Sequence, residues 1–187
     1  MSEALWTLPW IEEVRRFWFE EIDSALWFRR DDALDAEVRK RFRALYGTLA
    51  ADLDAASVPS APAALAGAIV LDQFPRNMFR GTAMAFAADP KALAIARTAV
   101  GRGLDRRLAG NERLFLYLPF EHSEELADQE RAVELIGALG DPELLRYAEA
   151  HRTIVAQFGR FPHRNAALGR ASTPEEIAFL RQPGSSF

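Results

Sequence analysis

No stretch of this chain alternates apolar and polar residues for the length of a strand, and no Asn-Gly or Asp-Gly pair marks a tight hairpin. Apolar residues recur instead at three- and four-residue spacing. Trp10, Val14, Phe17 and Trp18 make one such stripe; Leu34, Val38, Phe42, Leu45 and Leu49 make another. Only a helix collects residues at those spacings on one face. Composition agrees: 33 Ala and 22 Leu stand against 20 Val, Ile and Thr together, and β-branched residues carry the strand preference. The expected fold is all-α, with helix hairpins stacked in a single domain over residues 1–187.

Turn and cap residues divide the pattern. Pro9 opens a first helix to about Ile22, and a second covers about Asp32 to Leu53. Ser60 caps a third, predicted to end near Phe74 because Pro75 follows. Asp89-Pro90 and Asp141-Pro142 both read as a capping carboxylate followed by a ring with φ already set. Between them, Asn111 caps a helix whose run Leu114 to Leu118 is apolar on every side, a pattern that belongs in the middle of a core. Pro119 ends or kinks it, and Ser123 starts the next, stopped by Gly140. Gly159 terminates the Asp141 helix, a short helix follows Pro162, and Thr173 to Glu176 form a capping box. The two Asp-Pro segments lie 52 residues apart, which does not match the tetratricopeptide period of about 34.

Several function classes are excluded at this level. With no cysteine there is no disulfide, thiolate metal site, iron–sulfur cluster or thiol nucleophile. A formal net charge of −4 gives no general attraction to nucleic acid or to anionic lipid. The longest apolar run, Ala61 to Leu71, is too short to span a bilayer, and the start lacks the basic region of a signal peptide. The expected location is the cytoplasm. No phosphate loop, dinucleotide fingerprint, zinc-protease helix, calcium loop or nucleophile elbow occurs. No metal and no cofactor is predicted: the three histidines lack close ligand spacing, although Asp72 and Glu121 could complete a set.

The informative residues are polar ones at apolar positions. Asp72 falls seven residues after Leu65 and three after Ile69, so it shares their inward face, with Gln73 on the flank. His151 falls near the centre of the stripe formed by Leu144, Tyr147, Ala148, Ile154, Val155 and Phe158. Glu121, His122 and Ser123 follow directly on the all-apolar helix. Each also has a structural reading: Asp72 clamps a loop through Arg76 or Arg80, His151 is a satisfied core histidine, and Glu121 with His122 fixes the kink at Pro119. Near the C-terminus, Phe158 to Asn165 puts Arg160, His163 and Arg164 around a helix start, where anions bind. Phe74 to Asn77 is a weaker echo of it. Residues 120–149 carry nine acids and two Arg, while 150–187 carry five Arg and two Glu, so internal pairing is the competing explanation.

Three long segments, LDQFPRNMFRGTAMAFAADP, FLYLPFEHSEELADQ and HRTIVAQFGRFPHRNAALGRASTPEE, together resemble a bacterial family, domain of unknown function family 924. The likeness runs end to end and includes FWFEEI, WFRRDD and the SSF tail. The family is similar in fold to tetratricopeptide-repeat proteins, which implies stacked helix hairpins; it has no assigned activity. The motif positions are Asp72, Gln73, Arg76, Asn77 and Arg80; Glu121, His122, Ser123 and Gln129; then His151, Arg160, His163, Arg164, Asn165 and Arg170. One departure is VPSAPAALAGAIV, where members commonly show a tryptophan before the third helix.

The sequence reading is a polar cleft that binds a small anionic metabolite, with non-redox chemistry such as hydrolysis. Asp72, Glu121, His122 and His151 are the candidate catalytic residues, with His122 or His151 as general base. Gln73, Arg76, Asn77, Arg80, Gln129, Arg160, His163, Arg164 and Asn165 are the candidate ligand-binding residues. The alternative is a tetratricopeptide-like module gripping a protein or peptide, without catalysis. Oligomeric state is not read from sequence.

Overall fold

A computed structural model describes residues 5–6 and 9–185; Ser186 and Phe187 of the SSF tail and Met1 to Ala4 lie outside them. Among the described residues every regular element is helical. The chain falls into two compact units, one of residues 1–80 and 84–119, the other of residues 81–83 and 120–187.

In the first unit, Trp10–Arg16 continues into a π-helical turn, Phe17–Glu21, and Asp32–Asp52 is capped by the Asp31 carboxylate. Ser60 caps Ala61–Ala68 as expected, but the helix does not stop at Phe74. A π turn, Ile69–Gln73, carries it into Phe74–Met78, with the Phe74 N–H reaching back five residues to Ile69 O. The widened turn lets α-helix restart with Pro75 in its first turn, where its missing N–H costs nothing. The core is aromatic: Phe115, fully buried on the Gly110–Glu121 helix, meets Trp18 at 5.5 Å, Phe19 at 5.6 Å and Trp27 at 5.0 Å, all edge to face. Leu114 to Leu118 are all buried, as a run apolar on every side requires.

The two Asp-Pro starts turn out to be unlike. Asp141 caps Pro142–Phe158, accepting from the N–H groups of Glu143 and Leu144. Asp89 is the first residue of Asp89–Gly101, one past its N-cap Ala88, and gives both carboxylate oxygens to Arg76. That helix ends at Gly101 rather than near Leu108. Asn111 likewise is no cap, because its helix already begins at Gly110.

The second unit begins as the Gly110–Glu121 helix ends. Pro119 sits inside that helix, so the helix outlasts it by two residues. Ser123 prepares the next helix rather than capping it: Leu126–Gly137 starts three residues later, and the Ser123 hydroxyl accepts the Glu125 N–H while donating to Asp128. Leu126–Gly137 and Pro142–Phe158 pack as a helical hairpin, with Gly140 in the left-handed region at φ 78° between them. Gly159 ends the second arm at φ 67°. Ile154, Val155 and Phe161 form the core, flanked by Phe158 and Phe179. The Thr173 capping box starts Pro174–Leu180.

Candidate functional site

Glu121 is the last residue of its helix, so its backbone carbonyl has no helical donor ahead of it. Gln129, fully buried one helix later, supplies one: its amide donates to the carbonyls of Glu121 and Ser123, both at 2.6 Å. That pair of bonds assigns the amide orientation, and it leaves the Gln129 Oε1 buried without a hydrogen-bond partner. His122 has left the helix and stands half-buried in the turn beyond.

His151 comes to the same place from the buried stripe of Pro142–Phe158. Its Nδ1 lies 2.9 Å from the Tyr147 carbonyl, which can only accept, so Nδ1 carries the proton and Nε2 the lone pair. The same Nδ1 is 3.4 Å from Glu121 Oε1. The ring of His122 is 6.3 Å away, centroid to centroid. One carboxylate oxygen of Glu121 and one nitrogen from each imidazole all lie within 4.8 Å of one another. Burial pushes His151 down from 6.5 to about 3, outweighing its bond to Tyr147; the charges of His122, Arg164 and His163 push the same way. The ring is therefore neutral across the physiological range, and its contact with Glu121 is not an ion pair at neutral pH.

The basic hinge divides into two roles. Arg164 is buried with its guanidinium carbon 4.4 Å above the Phe161 ring; Phe161 meets the His151 ring edge-on at 5.6 Å and His163 at 5.6 Å. Arg164 and His163 thus belong with His151. Arg160 and Asn165 belong to a separate network. Arg160 forks onto Glu176 at 2.6 and 2.8 Å, and Asn165 donates to Glu176 and Ser172. Arg170 forks onto Glu124, which also accepts the Phe161 N–H. Arg160 holds Glu176 down at about 2, and Arg170 lowers Glu124 against the opposing pull of burial.

The remaining predicted residues lie in the first unit. Asp72 is fully buried, accepts from Gln73 at 2.6 Å and lies 3.2 Å from Arg76 Nη1. Arg76 closes on Asp89 with two bonds of 2.9 Å. Asn77 and Arg80 both grip Asp35, Asn77 at 2.8 Å and Arg80 at 2.5 and 2.8 Å. These groups tie Asp32–Asp52, Phe74–Met78 and Asp89–Gly101 together. The acidic partners Asp35, Asp89, Glu124 and Glu176 carry no sequence signal of that role. Glu176 shows only as the end of a capping box, and Asp89 only as a presumed cap.

A family model described as bacterial protein of unknown function, DUF924, matches residues 14–184. Among solved structures, a protein of unknown function from Agrobacterium tumefaciens is 43% identical, with a TM-score of 0.84; the alignment covers 91% of this chain and 96% of that one. No curated protein matches.

Proposed function

The chain belongs to the DUF924 family of bacterial proteins of unknown function, and we propose that its second unit binds the acidic group of a small metabolite beside Glu121, His122 and His151 and moves a proton on it. The observation that carries this is the gathering of one carboxylate and two imidazoles within 4.8 Å. Few structural needs bring three such groups to one half-buried place. Arg164 adds positive charge to the same neighbourhood, which favours an anionic guest. Carboxylated and phosphorylated metabolites are the matching class, because a guanidinium meets either with two parallel bonds.

The two imidazoles take different parts. A ring held near 3 is a poor proton acceptor at neutral pH, so His151 serves as a fixed lone-pair donor toward the guest. His122 is half-buried and keeps access to water, which suits the residue that exchanges the proton. Glu121 orients the pair. Asp72 and its partners act in this reading as a clamp in the first unit, and Arg160 and Asn165 as a clamp in the second.

The test is a thermal-shift screen of carboxylated and phosphorylated metabolites against the wild type, His122→Asn and Arg164→Lys. A stabilising shift with the wild type that shrinks in both variants is expected. Absence of any ligand-dependent shift in the wild type overturns the reading.

A further inference from the structure

We propose that Glu121, His122 and His151 together hold a divalent transition-metal ion and leave it a coordination position open to an exogenous ligand. The inference rests on the site just described for its location, and adds an ion that binds whether or not a metabolite does.

The donor set is the first argument. Two imidazole nitrogens and one carboxylate oxygen are the three protein ligands of an open zinc-type site. Magnesium and calcium prefer oxygen throughout, so a set with two nitrogens selects against them. Distances are the second. Bonds of about 2.0–2.2 Å in a tetrahedral shell place ligand atoms about 3.2–3.6 Å apart. The three residues already offer one donor atom each within 4.8 Å of the others. Closing the remainder takes a small side-chain adjustment, and His122, half-buried in a turn, is placed to make it.

Support around the donors is the third. A metal-bound histidine characteristically donates its other ring N–H to a carbonyl or carboxylate, which fixes tautomer and orientation. His151 already does so, from Nδ1 to Tyr147 O at 2.9 Å. Gln129 pins the Glu121 carbonyl at 2.6 Å and so holds the backbone from which two ligands spring. Consecutive residues on a helix diverge by about 100°, so neighbours rarely share a site. Here the helix ends at Glu121, and that break frees His122 to turn toward it. The ligands are 29 residues apart along the chain, from His122 to His151, which is why spacing motifs do not reveal them.

The full chain, stripped of metal, is titrated with Co(II) by visible absorption and with Zn(II) against a chromophoric chelator. One ion per chain is expected, with a Co(II) spectrum of low coordination number. Affinity is expected to fall more than about tenfold in Glu121→Gln and in His122→Asn. His151→Asn is measured as well, and circular dichroism checks that each variant folds; should that buried position not tolerate change, the first two decide. No binding, or binding that Glu121→Gln and His122→Asn leave unchanged, overturns the metal site. Loss of metal binding with metabolite shifts intact removes the ion alone. Metal binding without any metabolite shift removes the metabolite reading and keeps the ion.

Discussion

Gln129 holds the backbone carbonyl of Glu121 at 2.6 Å, and through it the end of the helix that delivers both Glu121 and His122. The same amide takes the Ser123 carbonyl at 2.6 Å, so one fully buried side chain satisfies the last carbonyl of the helix and one in the turn beyond it. Gln129→Met keeps the volume but strands both carbonyls. A loss of about 1–3 kcal/mol is expected in denaturant unfolding. If the metabolite and metal sites are as proposed, both affinities fall with it, since the backbone beneath Glu121 and His122 is no longer held.

In the first unit Arg76 compensates two carboxylates, the fully buried Asp72 and the half-buried Asp89. Arg76→Met removes the charge and leaves both without it. A loss of about 3–5 kcal/mol is expected, the range for breaking a buried pair from one side. Scanning calorimetry reads it directly. A change within experimental scatter contradicts the clamp role.

Acid stability of the second unit has a defined window. Arg160 holds Glu176 at about 2, below its ordinary 4.5. Because the folded value is the lower one, the stabilisation is complete above about 4.5 and disappears as pH falls through about 2. The difference in stability between wild type and Glu176→Gln is therefore expected to be constant above that window and to shrink within it. A difference that does not change between those limits contradicts the pairing.

The His151 ring offers a spectroscopic check on the metal-free chain. Its 15N shifts are expected to show a neutral ring protonated at Nδ1 throughout the neutral range, titrating near 3 and not near 6.5. A folded value below the unfolded one also means that this group costs stability as pH falls from 6.5 toward 3. An ordinary midpoint would mean that the ring is solvated.

The Asp-Pro starts separate local from tertiary roles. Asp141→Ala removes a cap and is expected to cost about 1 kcal/mol. Asp89→Ala releases Arg76, so its loss is expected to be larger and to be non-additive with Arg76→Met. Double-mutant cycles measure both.

What the residues determine by themselves here is local. The helical class, the cap at Asp141, the left-handed stop at Gly159 and the capping box at Thr173 are all legible, because each is satisfied by groups within about four residues. The inward placement of His151 follows from helical period, whereas Asp72 lies in a π turn of a segment buried on every side, where period selects no face. Partners are another matter. Arg170 meets Glu124 across 46 positions, Arg80 meets Asp35 across 45, and Arg160 meets Glu176 across 16. Basic residues that look alike in sequence therefore divide into structural clamps and site neighbours only when the helices pack. The same holds for Glu121, His122 and His151, whose meeting depends on a hairpin arm returning past a helix end. Capping is decided by the backbone within a turn, whereas charge pairing and ligand geometry are decided by which surfaces bury each other, and hydrophobic burial is not directional enough for a linear pattern to reveal that choice.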